Sequence, residues 1–126
     1  MLWVFDLDGV VWLAGQAIPG SPDAVETLRR AGHQVAFVTN NSTPTVGEYV
    51  ARLAAAGIDI QPGELATSSQ AAATLVAPGA RVAHVGGEGV VEALTGRGAV
   101  LVDTGSEAEA VVVGRSLQLD FAELAA

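Results

Sequence analysis

Short apolar runs alternate with capped helical stretches along this chain, and that alternation limits the possible folds more than any other feature. Leu2–Phe5 reads as a strand. Ser21-Pro22 reads as an N-cap and first helical position, with Ala24–Ala31 as the helix body and Gly32 just past its end. Gln34–Thr39 is the next strand, and Thr43-Pro44 is expected to open a second helix that runs to Gly57. Leu65–Thr67 is a short third strand and Ser69–Ala77 an alanine-rich helix. After Pro78-Gly79 the rhythm restarts with strand Arg81–Val85, a helix near Glu88–Leu94, and strands Ala99–Val102 and Ala110–Val113. The segment LQLDFAELAA reads as the start of another helix. Strands separated by helices pair in parallel, so the expected class is α/β, with Pro78-Gly79 as the boundary between two parts, 1–78 and 79–126.

The chain is long enough for one compact domain or two small ones, and half of it is hydrophobic. No run approaches the roughly 20 apolar residues of a membrane span. The N-terminus lacks a signal-peptide pattern, because Asp6 interrupts its apolar run. Without cysteine there is no disulfide framework, thiolate nucleophile or cysteine zinc site. A soluble cytoplasmic protein without a membrane partner is expected. Fourteen Asp and Glu stand against six basic residues, a net charge of −8 that argues against a nucleic-acid partner. A small phosphorylated ligand remains compatible, since a metal ion and backbone N–H groups can meet its charge. All six basic residues are arginines, so the chain has no lysine.

Two carboxylates, Asp6 and Asp8, close the first apolar strand immediately before Gly9. In a parallel sheet, function collects at the carboxyl ends of the strands. Alternation sends Asp6 and Asp8 to one side and Leu7 to the other. Like charges this close need a metal ion, a proton or separate roles. Asp-Gly by itself is a common turn, but a turn does not need Asp6.

Val38–Thr43 (VTNNST) also follows an apolar strand and precedes a helix. Thr39 offers a hydroxyl, Asn40 and Asn41 offer amides, and the N–H groups of such a turn suit an oxyanion. Ser42 or Thr43 serves as a helix cap on the plainer reading. A strand–helix–strand unit places its two strands side by side, so the carboxylates and the Thr/Asn cluster are expected to face one another.

FDLDGVVW followed by FVTNNST resembles the haloacid dehalogenase superfamily of phosphatases, in the branch of the p-nitrophenylphosphatases, phosphoglycolate phosphatases and NagD-like proteins. IPGSPDAVETLRRAG, GELATSSQAAATLV, RVAHVGGEGVVEAL and EAEAVVVGRSLQLDFAEL are similar to that branch in the same order. The resemblance implies a Rossmann-like core, of which 1–78 is the first half, followed by the start of an α/β cap in 79–126. It implies that Asp6 is a nucleophile forming an aspartyl-phosphate, and that Asp8 is the general acid and base. Thr39 and Asn40, and less directly Asn41, would hold the phosphoryl oxygens. Mg²⁺ would bind the Asp6 carboxylate and the Asp8 backbone carbonyl. An acid at Asp8 favours phosphate esters over halides, because an alkoxide needs a proton to leave and a halide does not. Val10–Gly20 resembles the flap that follows the nucleophile, where Trp12 is either a packing aromatic or a shield over the site.

The family also uses a lysine and a later acidic cluster. This chain has no lysine, and Asp23, Asp59, Asp103 and Asp120 form no such cluster. The expectation is therefore a partial enzyme, inactive or nearly so by itself, as a truncation, a fragment or one partner of a split enzyme. With the family's later strands missing, Leu2–Phe5 becomes an exposed apolar edge, and self-association through that edge, an exchanged segment or the cap is expected. A non-catalytic module binding phosphate or a partner through the same loops is the alternative. A third reading, dinucleotide binding at VGGEG (Val85–Gly89), is weaker, since the third glycine position of the fingerprint is Glu92. His33 and His84 are isolated, and Glu107 and Glu109 read as a solvated connection.

Overall fold

A computed structural model describes residues 1–116; the predicted helix in LQLDFAELAA lies outside them. The chain divides into two compact units. One comprises Met1–Asn40 and Val46–Ala66, the other Asn41–Thr45 and the chain from Thr67 onward.

In the first unit, strand β1 (Leu2–Asp6) leads into a small antiparallel hairpin of β2 (Trp12–Leu13) and β3 (Gln16–Ala17). Ala14 and Gly15 both take positive φ, 50° and 78°, which is the type I′ pattern that suits a two-residue hairpin. Helix α1 (Ser21–Arg30), strand β4 (Gln34–Thr39) and helix α2 (Val46–Ala55) follow. A 3₁₀ turn over Pro62–Glu64 then enters β5 (Leu65–Thr67). The sheet order is β1-β4-β5. Strands β1 and β4 run parallel, from Leu2 opposite Gln34 to Asp6 opposite Val38. Val25 of α1 and Tyr49 and Leu53 of α2 pack with Val35, Phe37 and Leu7 in one core. Each fully buried side chain of this size stabilises the unit by about 1.5–3 kcal/mol.

In the second unit, helix α3 (Ser68–Ala73) is closed by a capping box. The Thr67 hydroxyl accepts from Gln70 N–H at 3.1 Å, and the Gln70 side chain accepts from Thr67 N–H at 2.9 Å. Strand β6 (Arg81–Val85), helix α4 (Glu88–Gly96), β7 (Val100–Val102) and β8 (Ala110–Val113) complete it. The three strands are parallel in the order β7-β6-β8. Val76, Val82, Val90 and Leu94 form the core.

Three local expectations are corrected. Ser21 is the first residue of α1 rather than its cap: Gly20 stands at the cap with φ 88°, and the Ser21 hydroxyl donates to the Val11 carbonyl at 3.0 Å. Helix α2 starts at Val46, not at Thr43-Pro44, because Ser42 and Thr43 are hydrogen-bonded elsewhere. Helix α3 ends at Ala73, earlier than the alanine-rich run implied. The two compact units divide between Ala66 and Thr67, and α3 lies in the second.

The glycines of VGGEG have a packing role. The Thr43 carbonyl accepts from Gly89 N–H at 2.8 Å. A Cβ on Gly87 would stand 2.6 Å from Thr43 Cγ2, and one on Gly89 would stand 2.6 Å from the Ser42 carbonyl oxygen and closer still to that of Pro44. Only glycine admits the 41–45 segment against this loop.

Candidate functional site

The site begins with the fully buried Leu7. Because side chains alternate at the end of β1, burying Leu7 leaves the flanking Asp6 and Asp8 exposed. Asp6 Oδ1 accepts from the Leu7 N–H at 2.8 Å. The Leu7 carbonyl in turn accepts from the N–H groups of Val11 and Trp12, at 2.9 and 3.1 Å, which coils the backbone tightly. Gly9, with φ 83°, makes the reversal, and its N–H donates to the Trp12 carbonyl at 2.7 Å.

This turn carries Trp12 back over Asp8. The indole Nε1–H donates to Asp8 Oδ1 at 3.0 Å. The ring is 7% exposed and lies parallel to Tyr49, with centroids 6.4 Å apart and planes 2° from parallel. The packing reading of Trp12 describes its ring, and the same side chain also donates to Asp8.

The register places Thr39 one residue beyond the Asp6–Val38 pair, at the same strand end as the aspartates. Thr39 is buried on the same side of the strand as Phe37, whereas Asp6 shares the opposite side with Val38, which is exposed. Asn40 follows at the end of the unit and is exposed. Asn41 belongs to the second unit, where its side-chain oxygen accepts from the Thr43 N–H at 3.2 Å. The pairing thus collects Asp6, Asp8, Thr39 and Asn40 at one end of the first unit, while Asn41 begins the segment held by the other.

A cleft of about 480 Å³ opens beside Asp8, lined also by Trp12, the hairpin residues Gly15–Ala17 and Arg52 near the end of α2. Arg52 went unremarked in the sequence because its helical position carries no motif. It is the one basic residue among the described residues lining the cleft.

The donor set suits a hard, oxygen-ligated cation. Two exposed carboxylates lie within one turn, and Mg²⁺ commonly uses one or two carboxylates with water completing its octahedron. Among the described residues, no group of three or more His, Cys, Asp or Glu side chains converges. No helix of the described residues is long and apolar enough to cross a membrane.

Residues 3–100 match a family model described as haloacid dehalogenase-like hydrolase. An acid sugar phosphatase of Staphylococcus saprophyticus is 35% identical over 125 residues, which is 97% of this chain and 48% of that protein. The solved p-nitrophenyl phosphatase of Archaeoglobus fulgidus superposes with a TM-score of 0.89 at 31% identity, covering 98% of this chain and 48% of that one. A glycerol phosphate phosphatase of Mycobacterium tuberculosis, solved in complex with magnesium, superposes with a TM-score of 0.89 at 32% identity, covering 98% and 39% respectively. The chain spans about half the length of the curated relatives it matches.

Proposed function

Because this chain belongs to the haloacid dehalogenase-like hydrolases, we propose that the ends of β1 and β4 carry the nucleophilic half of a phosphate monoester hydrolase acting on a small phosphorylated metabolite. In this reading an Asp6 carboxylate oxygen attacks phosphorus. The bond to the ester oxygen breaks, and Asp8 delivers a proton to that leaving oxygen. Water then attacks the aspartyl-phosphate, Asp8 takes a proton from it, and Asp6 and inorganic phosphate are released. Thr39 and Asn40 orient the phosphoryl oxygens, with Asn41 in a lesser role. Asp6 and the Asp8 carbonyl would hold Mg²⁺, which when bound offsets the charge that two anions bring together. The relatives with phosphatase names, one of them solved with magnesium, support this reading. Residues 1–78 and 79–126 correspond in it to the first halves of a core and of an α/β cap, in a cytoplasmic protein.

One observation carries the proposal. The parallel register, Asp6 opposite Val38, brings the Asp-Leu-Asp turn and the Thr-Asn turn to the same end of one sheet. The chain by itself is expected to be inactive or nearly so. It has no lysine, and an active site of this kind loses several kcal/mol of transition-state stabilisation with each missing charge. The alternative is a module that binds phosphate or a partner through these loops without turnover.

Mg²⁺-dependent hydrolysis of p-nitrophenyl phosphate, measured on this chain and on any longer natural form, each with and without Asp6→Asn, decides between them. Activity in a longer form that D6N abolishes supports the hydrolase. Turnover that survives D6N overturns Asp6 as nucleophile. Phosphate binding with no turnover in any natural form establishes the binding module.

A further inference from the structure

We propose that Trp12 is a positioning residue for Asp8, holding one carboxyl oxygen so that the other is the atom that carries the transferable proton. This rests on the reading of Asp8 as proton donor given above.

A buried indole N–H needs an acceptor, and leaving it without one is costly. The acceptor here is Asp8 Oδ1, at 3.0 Å. The donor has little freedom to move. Its ring is stacked on Tyr49 and buried, its backbone pairs with Ala17 in the hairpin, and its carbonyl accepts from Gly9. Asp8 by contrast is exposed, and an exposed aspartate without such a tie samples several rotamers. In a protonated carboxyl group the carbonyl oxygen accepts and the hydroxyl donates. With Oδ1 engaged by the indole, the hydroxyl is Oδ2. Packing alone does not require tryptophan, since a phenyl ring also stacks on Tyr49; the N–H is what distinguishes this side chain. Trp12 and Asp8 line the same cleft, so the fixed carboxyl group stands at an opening rather than packed into the core.

The test compares the 126-residue chain with its Trp12→Phe variant, which keeps a stacking ring and removes the donor. NMR couplings of the Asp8 Cβ protons report its χ1 rotamer. One dominant rotamer is expected in the parent chain and averaging in W12F, with Asp6 unchanged. An Asp8 that stays in one rotamer without the indole, or averages with it, overturns the proposal. If W12F does not fold, Asp8→Ala gives the answer from the other partner. Its Trp12 indole proton should shift and exchange faster while that of Trp3 does not, and an unmoved resonance overturns the proposal. These readouts need no turnover, so they stand apart from the D6N test of the hydrolase. In a form that hydrolyses esters, W12F should lower the rate on an alkyl phosphate by roughly tenfold or more, the scale of lost acid catalysis, and spare p-nitrophenyl phosphate, whose leaving group needs no proton. Equal losses on both esters would mark a purely structural residue.

Discussion

Ser42 accepts a hydrogen bond from the backbone N–H of Arg115 at 2.8 Å, across 73 positions of sequence. Beside it the Thr43 hydroxyl donates to the Arg115 carbonyl at 3.0 Å, and the Ser69 hydroxyl donates to the Ser42 carbonyl at 3.0 Å. The residues that read as a helix cap thus anchor the end of the second parallel sheet. Ser42 is buried, so Ser42→Ala leaves the Arg115 N–H without its acceptor. The expected loss of stability is about 1–3 kcal/mol, read as a lowered urea midpoint. A change confined within a few tenths of a kcal/mol would show the bond to be replaceable by water.

The glycine loop makes a sharper contrast. Gly89→Ala places a methyl group against the backbone of 41–45, and overpacking of this kind costs about 1–3 kcal/mol or more. Gly96, the last residue of α4, has open space around the position of a Cβ. Gly96→Ala should therefore be neutral or stabilise by up to about 1 kcal/mol, the helix preference of alanine over glycine. Thermal unfolding of the two variants should move Tm in opposite directions, or G89A alone downward.

Ala14 occupies the left-handed region at φ 50°, where a non-glycine residue costs about 1–2 kcal/mol. Asparagine tolerates that region better and is favoured in type I′ turns. Ala14→Asn should raise stability by roughly 0.5–1 kcal/mol, because it relieves part of that cost. A lowered Tm would show that the hairpin turn relaxes in solution to another type.

Strand β1 lies at one end of the β1-β4-β5 order, and Leu2 and Val4 are 55% and 54% exposed. An apolar edge of this kind is open to strand addition. Sedimentation velocity at micromolar concentration should show self-association of the parent chain that Val4→Lys suppresses. A monodisperse monomer in the parent would refute it.

The placement of the candidate residues was legible where it depends on local pattern. Period-two alternation around Leu7 sufficed to expose both Asp6 and Asp8, and the β1–α1–β4 order sufficed to bring Thr39 to the same strand end as Asp6. The role of Trp12 was half legible. Its packing followed from its apolar surroundings, but the donor bond to Asp8 depends on how the turn at Gly9 closes. Arg52 was not legible at all, since it reaches the cleft only through the docking of α2.

By itself, then, the sequence determined the parallel α/β rhythm, the strand ends and the pair of outward carboxylates, because each follows from residue type and spacing within a few positions. The tertiary structure decided where one unit ends and the next begins, why Ser42 and Thr43 are not the start of a helix, and why four glycines cluster at Gly86, Gly87, Gly89 and Gly114. Those outcomes turn on contacts between segments tens of residues apart. Their energies come from shape and hydrogen bonding at close approach, which no local pattern records.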